Sequence, residues 1–273
     1  GFPAMQFYMV LPYLFIVLFD LLLPYGVAFK IVAISGVVLM PLAAWSMGRL
    51  SSWREPLPGL MAVAALLFVF DFNFTIYGGN IASTLAGEFA FSMGLAASLL
   101  YLGLVHRVLE HGTHRGRAAV VLAVVALCHP ITFLFSITAT VVYVAVRSLH
   151  GLARRIRPQS MVIVLLLATL ALLGVFAATP RLLPRLLVAA LLLLCLLLLE
   201  FVSSLRALAV GVLGGALSAF WTVPFLLRRS YLNDMGWEKL DAVRENLFFP
   251  DRLGGDTAKM TIGWLLALAA LGG

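Results

Sequence analysis

Apolar stretches of about twenty residues, parted by short basic or turn-forming segments, recur along this chain. A helix that crosses a bilayer needs a run of about that length. Few other folds could use so many of them. A soluble domain carries roughly 25% charged residues. Here charged residues are 11%, hydrophobic residues 63%, and the mean hydropathy is +1.06. This excludes a soluble globular domain, a disordered chain and a disulfide-stapled module. The expected fold class is all-α. Residues 1–273 should form a single polytopic transmembrane helical bundle of about eight or nine segments, some short or broken. Gly1 is followed by no basic leader, and the last run, Met260 to Leu271, is still apolar where the sequence stops. The chain reads as the internal part of a longer protein.

The runs differ in quality. The first, Tyr8 to Leu23, contains Pro12 and Asp20 and is closed by Pro24. A central Asp costs about 2.5–3.5 kcal/mol on insertion scales, so residues 1–25 are expected to be interfacial or partly inserted. Val27 to Met47 should span, and Leu57 to Phe70 is a further run. A polar interlude, Asp71 to Asn80, precedes a long helix over Ala82 to Leu109. Ala118 to Val146 is broken at His129-Pro130, because proline disfavours helix at the residue before it. Two arms of about 11–16 residues, too short to span, are expected to meet there within the protein or a wet cavity. Met161 to Ala178, Leu186 to Leu199 and Leu205 to Leu227 follow. In the last, Gly211 and Gly215 have the GxxxG spacing of closely packed helices. Residues 228–259 form the only long polar stretch. Trp237, Leu240, Val243, Arg244 and Leu247 recur there at the spacing of a short amphipathic surface helix.

The net charge of +7 reads as the positive-inside bias of a membrane protein. No basic run is interleaved with exposed aromatics, so nucleic acid is not an expected partner. With loops 49–56, 106–117, 147–159 and 203–206 inside, those loops hold ten Lys/Arg. The outer flanks then hold three, Lys30, Arg181 and Arg185, apart from residues 228–259. This orientation puts Asp71 to Asn80, the His129 turn and the 228–259 stretch together on the extracytoplasmic side. Cys128 and Cys195 lie in apolar runs and read as small buried hydrophobes. Lysine is confined to Lys30, Lys239 and Lys259, an arginine-for-lysine usage that fits a GC-rich genome.

An ionisable residue inside a membrane segment is a functional candidate by default. Glu88 meets that description, as a base, as a ligand for a cation or hydroxyl, or as a structural carboxylate between helices. Asp71 and Asn73 end a helix and are two potential ligands for a divalent cation, or a solvated helix end. Gly78-Gly79-Asn80 is a turn that can also offer backbone N–H groups to a phosphate. His129, alone among the histidines in an apolar run, suits a lipid phosphate, a proton relay or a backbone-bonded turn. Trp221 reads as an interfacial anchor. Tyr231, Asp234, Trp237 and Glu238 suit a sugar, with rings to stack and carboxylates to bond hydroxyls, or else a solvated loop. Zinc spacing, a Walker loop, a dinucleotide fingerprint and a nucleophile elbow are all absent from the sequence.

Gly1-Phe-Pro3 with Leu11-Pro12-Tyr13, Gly78-Gly79-Asn80 with Gly87-Glu88, Leu127-Cys128-His129-Pro130, and Phe220-Trp221-Thr222-Val223-Pro224-Phe225 followed by Asp234-Met235-Gly236-Trp237 form a pattern. It resembles the GT-C glycosyltransferases, polytopic enzymes that use polyprenyl-phosphate-linked sugars. It is closest to the branch called 6-pyruvoyl-tetrahydropterin-synthase-related membrane proteins. The resemblance implies an extracytoplasmic active site in a bacterial plasma membrane. It implies a catalytic carboxylate in a loop that precedes Gly1, and a polar residue near the donor phosphate at the tip of a short helix pair. His129 matches that position, where many relatives carry lysine.

The expected function is therefore transfer of a sugar from a polyprenyl phosphate to a glycolipid, polysaccharide or protein acceptor. Glu88 and Asp71 are the candidate catalytic carboxylates. Asn80, Gly79, His129, Arg228 and Arg229 are the candidates for the donor phosphate. Trp221, Tyr231, Asp234, Trp237 and Glu238 are the candidates for the acceptor. Membrane lipid, polyprenyl phosphate and a glycan or lipid acceptor are the expected partners; no cofactor is fixed by the sequence, a divalent cation being one candidate. A transporter or lipid flippase, with broken helices and a midplane acid, and a non-catalytic scaffold subunit are the rival readings.

Overall fold

The computed structural model describes residues 9–72, 75, 78–155, 190–191, 194 and 201–231. Every regular element among them is helical. The runs Met161 to Ala178 and Leu186 to Leu199, and the stretch 232–273, lie outside the described residues.

Among the described residues, four helices are long and apolar enough to cross a membrane: α2 (Tyr25–Leu50), α4 (Ile81–His111), α6 (Pro130–Arg155) and α7 (Phe201–Leu227). Three are shorter: α1 (Val10–Asp20), α3 (Leu57–Val69) and α5 (Arg115–Cys128). At 1.5 Å per residue α1 is about 16 Å long and α5 about 21 Å. The bilayer's hydrocarbon core is about 30 Å thick. The surface shows what solvent the bundle meets. Val38, Leu42, Leu67, Leu208 and Val212 point outward, while Ser98, Thr132, Ser136, Thr140 and Ser218 are buried. Apolar outside and small polar inside is the pattern of a helix bundle in lipid.

α4 is the centre. On one side Gly36 of α2 lies directly on the backbone of Ser92 and Met93, and Gly103 of α4 lies on Met47. On the other side α6 meets α4 through a ladder of polar pairs. Ser136 donates to Ser98 at 3.0 Å, Tyr101 bonds Thr140 at 3.0 Å, His106 bonds Tyr143 at 2.7 Å, and Arg147 pairs with Glu110. Residue numbers rise together along these pairs, so α2, α4 and α6 run the same way. α5 and α7 run the other way. The Arg206 guanidinium donates to the Leu109 carbonyl at 3.0 Å, Gly214 abuts Ala119 and Leu122, and Trp221 packs with Leu127. α1 reaches across one end, with Val10 against Leu127 and Trp221, and Ile16 against Val32 and Phe89.

Two expectations are corrected. Among the described residues Gly211 and Gly215 meet nothing, while Gly214 makes the close approach. The buried face of α7 is Val210, Gly214, Ser218 and Trp221, spaced by three or four residues, and the GxxxG pair points off it. The arm after Pro130 is 26 residues long, not a second short arm. Arg147 ends the apolar run without ending the helix, because its long side chain reaches Glu110 while the backbone ladder continues.

Candidate functional site

The end of the bundle that holds the 71–80 turn is built from four pieces. α3 stops at Phe70, and Asp71 follows with its N–H bonded to the Phe68 carbonyl at 3.1 Å. Asn80 then caps α4, as a residue with a short side-chain oxygen does. Its Oδ1 accepts from the Ser83 N–H at 2.8 Å, and its Nδ2 donates to the Asp71 carbonyl at 2.5 Å. Asn80 is fully buried, so its amide joins the end of α3 to the start of α4.

Gly78 and Gly79 have φ of +83° and +91°, a region costly for residues with a Cβ. Gly78 lies on the Phe91 ring, and Gly79 lies against Phe68 and Leu95. The Gly79 N–H donates to Ser92 Oγ at 3.2 Å, and that hydroxyl also bonds Thr84 Oγ1 at 2.6 Å. The backbone N–H of Gly79 is thus directed into the bundle. The Ser83 hydroxyl is buried and has no partner among the described residues.

Glu88 ends a π turn, Thr84–Glu88, in which Gly87 takes φ +122°. The wide turn pushes Leu85 to Gly87 outward, Leu85 being 74% exposed. Glu88 itself is half-buried. Its carboxylate has no hydrogen bond or ion pair to any described residue.

His129 sits where α5 gives way to α6. Pro130 forces it into extended backbone, φ −161° and ψ 131°. Its ring then caps α6, with Nδ1 accepting from the Ile131 N–H at 3.2 Å. In the neutral ring that assignment leaves the proton on Nε2, which has no partner among the described residues. His129 is 7% exposed and lies edge-on to Phe91, with ring centroids 5.2 Å apart. Phe91 therefore lies between Gly78 and His129, with Glu88 three residues before it.

Trp221 reaches the same end from α7 but is a packing residue. It is 5% exposed, stacked on Phe225 at 5.1 Å and packed on Leu127 and Val10. Beyond it α7 ends at Leu227, with Arg228 exposed and Tyr231 78% exposed in a short 3-10 turn. Asp71, Gly79, Asn80, Glu88, His129, Trp221, Arg228 and Tyr231 are thus gathered at one end. Asn73, Asp234, Trp237, Glu238 and the side chain of Arg229 lie outside the described residues. Among the described residues no three His, Cys, Asp or Glu side chains form a group able to hold a metal ion.

Sequence reasoning missed Ser92, Thr84 and Phe91, which hold the end together. Nothing but a small hydroxyl or a ring in an apolar run marks them. The chain matches no family model, no curated protein and no solved structure.

Proposed function

We propose that this chain is the membrane part of a glycosyltransferase that moves a sugar from a polyprenyl phosphate to an acceptor hydroxyl. Reaction would take place at the Glu88–His129 end, on the outer face of a bacterial plasma membrane. The observation that carries the reading is Glu88. It is a half-buried carboxylate without a partner among the described residues, on a π turn of α4, and the only charged residue from Ile81 to Val105. Ionisable groups placed so deep are functional by default, and π turns recur at functional sites.

In this reading Glu88 accepts the proton of the acceptor hydroxyl. The freed oxygen attacks the anomeric carbon. The bond from that carbon to the phosphate oxygen breaks, and polyprenyl phosphate departs with the electron pair. The His129 Nε2–H, Arg228 and Arg229 would meet the charge on that phosphate. Asp71 is the second carboxylate at this end. Tyr231, Asp234, Trp237 and Glu238 would receive the acceptor.

The test is transfer of label from tritiated polyprenyl-phosphate hexoses and pentoses in vesicles holding the full protein and a membrane-lipid acceptor fraction. The wild type should transfer label. Glu88→Gln should lower the rate about 10²–10⁴-fold, the usual contribution of a general base. A Glu88→Gln protein at full rate would remove Glu88 from the mechanism. Movement of the donor lipid between leaflets without transfer would assign the chain to lipid transport instead.

A further inference from the structure

The opposite end of the bundle holds a cavity of about 680 Å³ between the end of α2 and the start of α5. Its rim is cationic and its depth is apolar. Arg49, Arg117 and His114 stand at the mouth, and Leu100, Leu104 and Val121 line the interior. Trp45 is beside Arg49, whose guanidinium carbon is 5.8 Å from the ring centre. Arg117 is exposed and has no acidic partner among the described residues. The acid beside Arg49 is Glu55, 3.8 Å away, with both side chains more than half exposed. A pair so exposed and long is worth little.

A second cavity of about 310 Å³ continues from the first and shares Ser46 and Leu100 with it. It runs on between α2 and α4 to Ser35, Met93 and Cys128. From Leu50 to Ser35 along α2 the crevice is about 22 Å long. One leaflet of the hydrocarbon core is about 15 Å deep. The crevice is therefore long enough for a whole acyl chain. Exposed Leu39, Leu42 and Val120 stand along its edge, so it opens sideways to lipid.

We infer that this crevice is a binding site for an anionic glycerophospholipid, with one acyl chain between α2 and α5 and the phosphate between Arg49 and Arg117. Charge complementarity decides the occupant. Arginine pairs well with phosphate oxygens, and basic pockets between membrane helices on the positive side bind acidic head groups. Trp45 has the place that interfacial tryptophan takes beside a glycerol backbone. The head-group pocket at Arg49 and Arg117 lies at the end remote from Glu88, while the far end of the crevice comes up to Cys128, next to His129; the inference does not depend on the function proposed above.

The test is native mass spectrometry of the full protein, freed from detergent in the presence of equal phosphatidylglycerol and phosphatidylcholine of the same chain length. Wild type should keep one phosphatidylglycerol in preference to phosphatidylcholine. A basic side chain at an anionic lipid surface contributes about fivefold, so the pair gives about twenty-five-fold. Arg49→Gln with Arg117→Gln should abolish the preference. Both side chains are exposed, so the double variant should fold. Arg54→Gln, an exposed arginine that does not line the cavity, should leave the preference intact. Val120→Trp, which narrows the crevice, should lower retention of both lipids. Equal retention of the two lipids by wild type, or an equal loss in Arg54→Gln, would overturn the site.

Discussion

His129 has two nitrogens with two occupations. Nδ1 holds the first turn of α6, and Nε2 is the atom offered to phosphate in the proposed reaction. Substitution separates them. His129→Ala removes the cap and should cost about 1 kcal/mol, the usual worth of an N-cap, read as a lower unfolding temperature in detergent. His129→Asn restores a capping acceptor and deletes the ring N–H. It should unfold as wild type does and transfer sugar poorly. An Asn variant that transfers at full rate would leave His129 with the cap alone. The site was legible in sequence wherever chemistry made a residue conspicuous. Glu88 and His129 stand out because an ionisable group in an apolar run is costly. The Asn80 amide and the Ser92 hydroxyl were not legible as a clasp. Serine and asparagine are ordinary at helix starts, and only the packing of α3 on α4 determines which carbonyl and which hydroxyl they meet.

The π turn in α4 carries Leu85 to Gly87 outward and ends on the half-buried Glu88. Its cost rests on Gly87 at φ +122°. A Cβ there would meet nothing within 4 Å, so Gly87→Ala carries a conformational penalty and no clash. The expected loss is about 1–3 kcal/mol, measured by thermal unfolding, with transfer activity falling if the turn relaxes to a regular helix. An unchanged unfolding temperature would show that α4 tolerates the regular turn. At this scale the sequence was readable where the backbone itself was constrained. Proline after His129 fixed the break between α5 and α6 at that residue. The reach of α6 past Arg147 and the identity of the packing glycine in α7 were not readable. The first depends on Glu110 in another helix. The second depends on the angle at which α7 leans on α5, and a one-residue change in that angle replaces Gly215 by Gly214.

Among the described residues, arginine gathers at one end of the bundle. Arg49, Arg54, Arg115, Arg117, Arg147, Arg154 and Arg206 lie toward the end where α4 finishes. Asp71, Glu88 and Arg228 lie toward the end where it starts. In the proposed reading the positive-inside rule puts the Glu88 end outside. Proteins with one accessible introduced cysteine test this, with Cys195 replaced by serine and Cys128 left in place because it is buried. A membrane-impermeant maleimide should label Tyr231→Cys in intact cells, and His114→Cys only after the membrane is opened. The reverse pattern would put Glu88 in the cytoplasm and end the case for an extracytoplasmic transferase.

The shortness of α5 has a consequence for how the protein is made. Fourteen residues led by Arg115 and Arg117 fall about 9 Å short of the hydrocarbon thickness. Such a segment has no stable crossing of its own when it leaves the ribosome. Its buried face, Ala119, Leu122 and Ala126, needs α4 and α7 before it is covered, and its free end needs α6. The expected route is insertion of α5 and α6 together, as one hairpin folded at His129-Pro130.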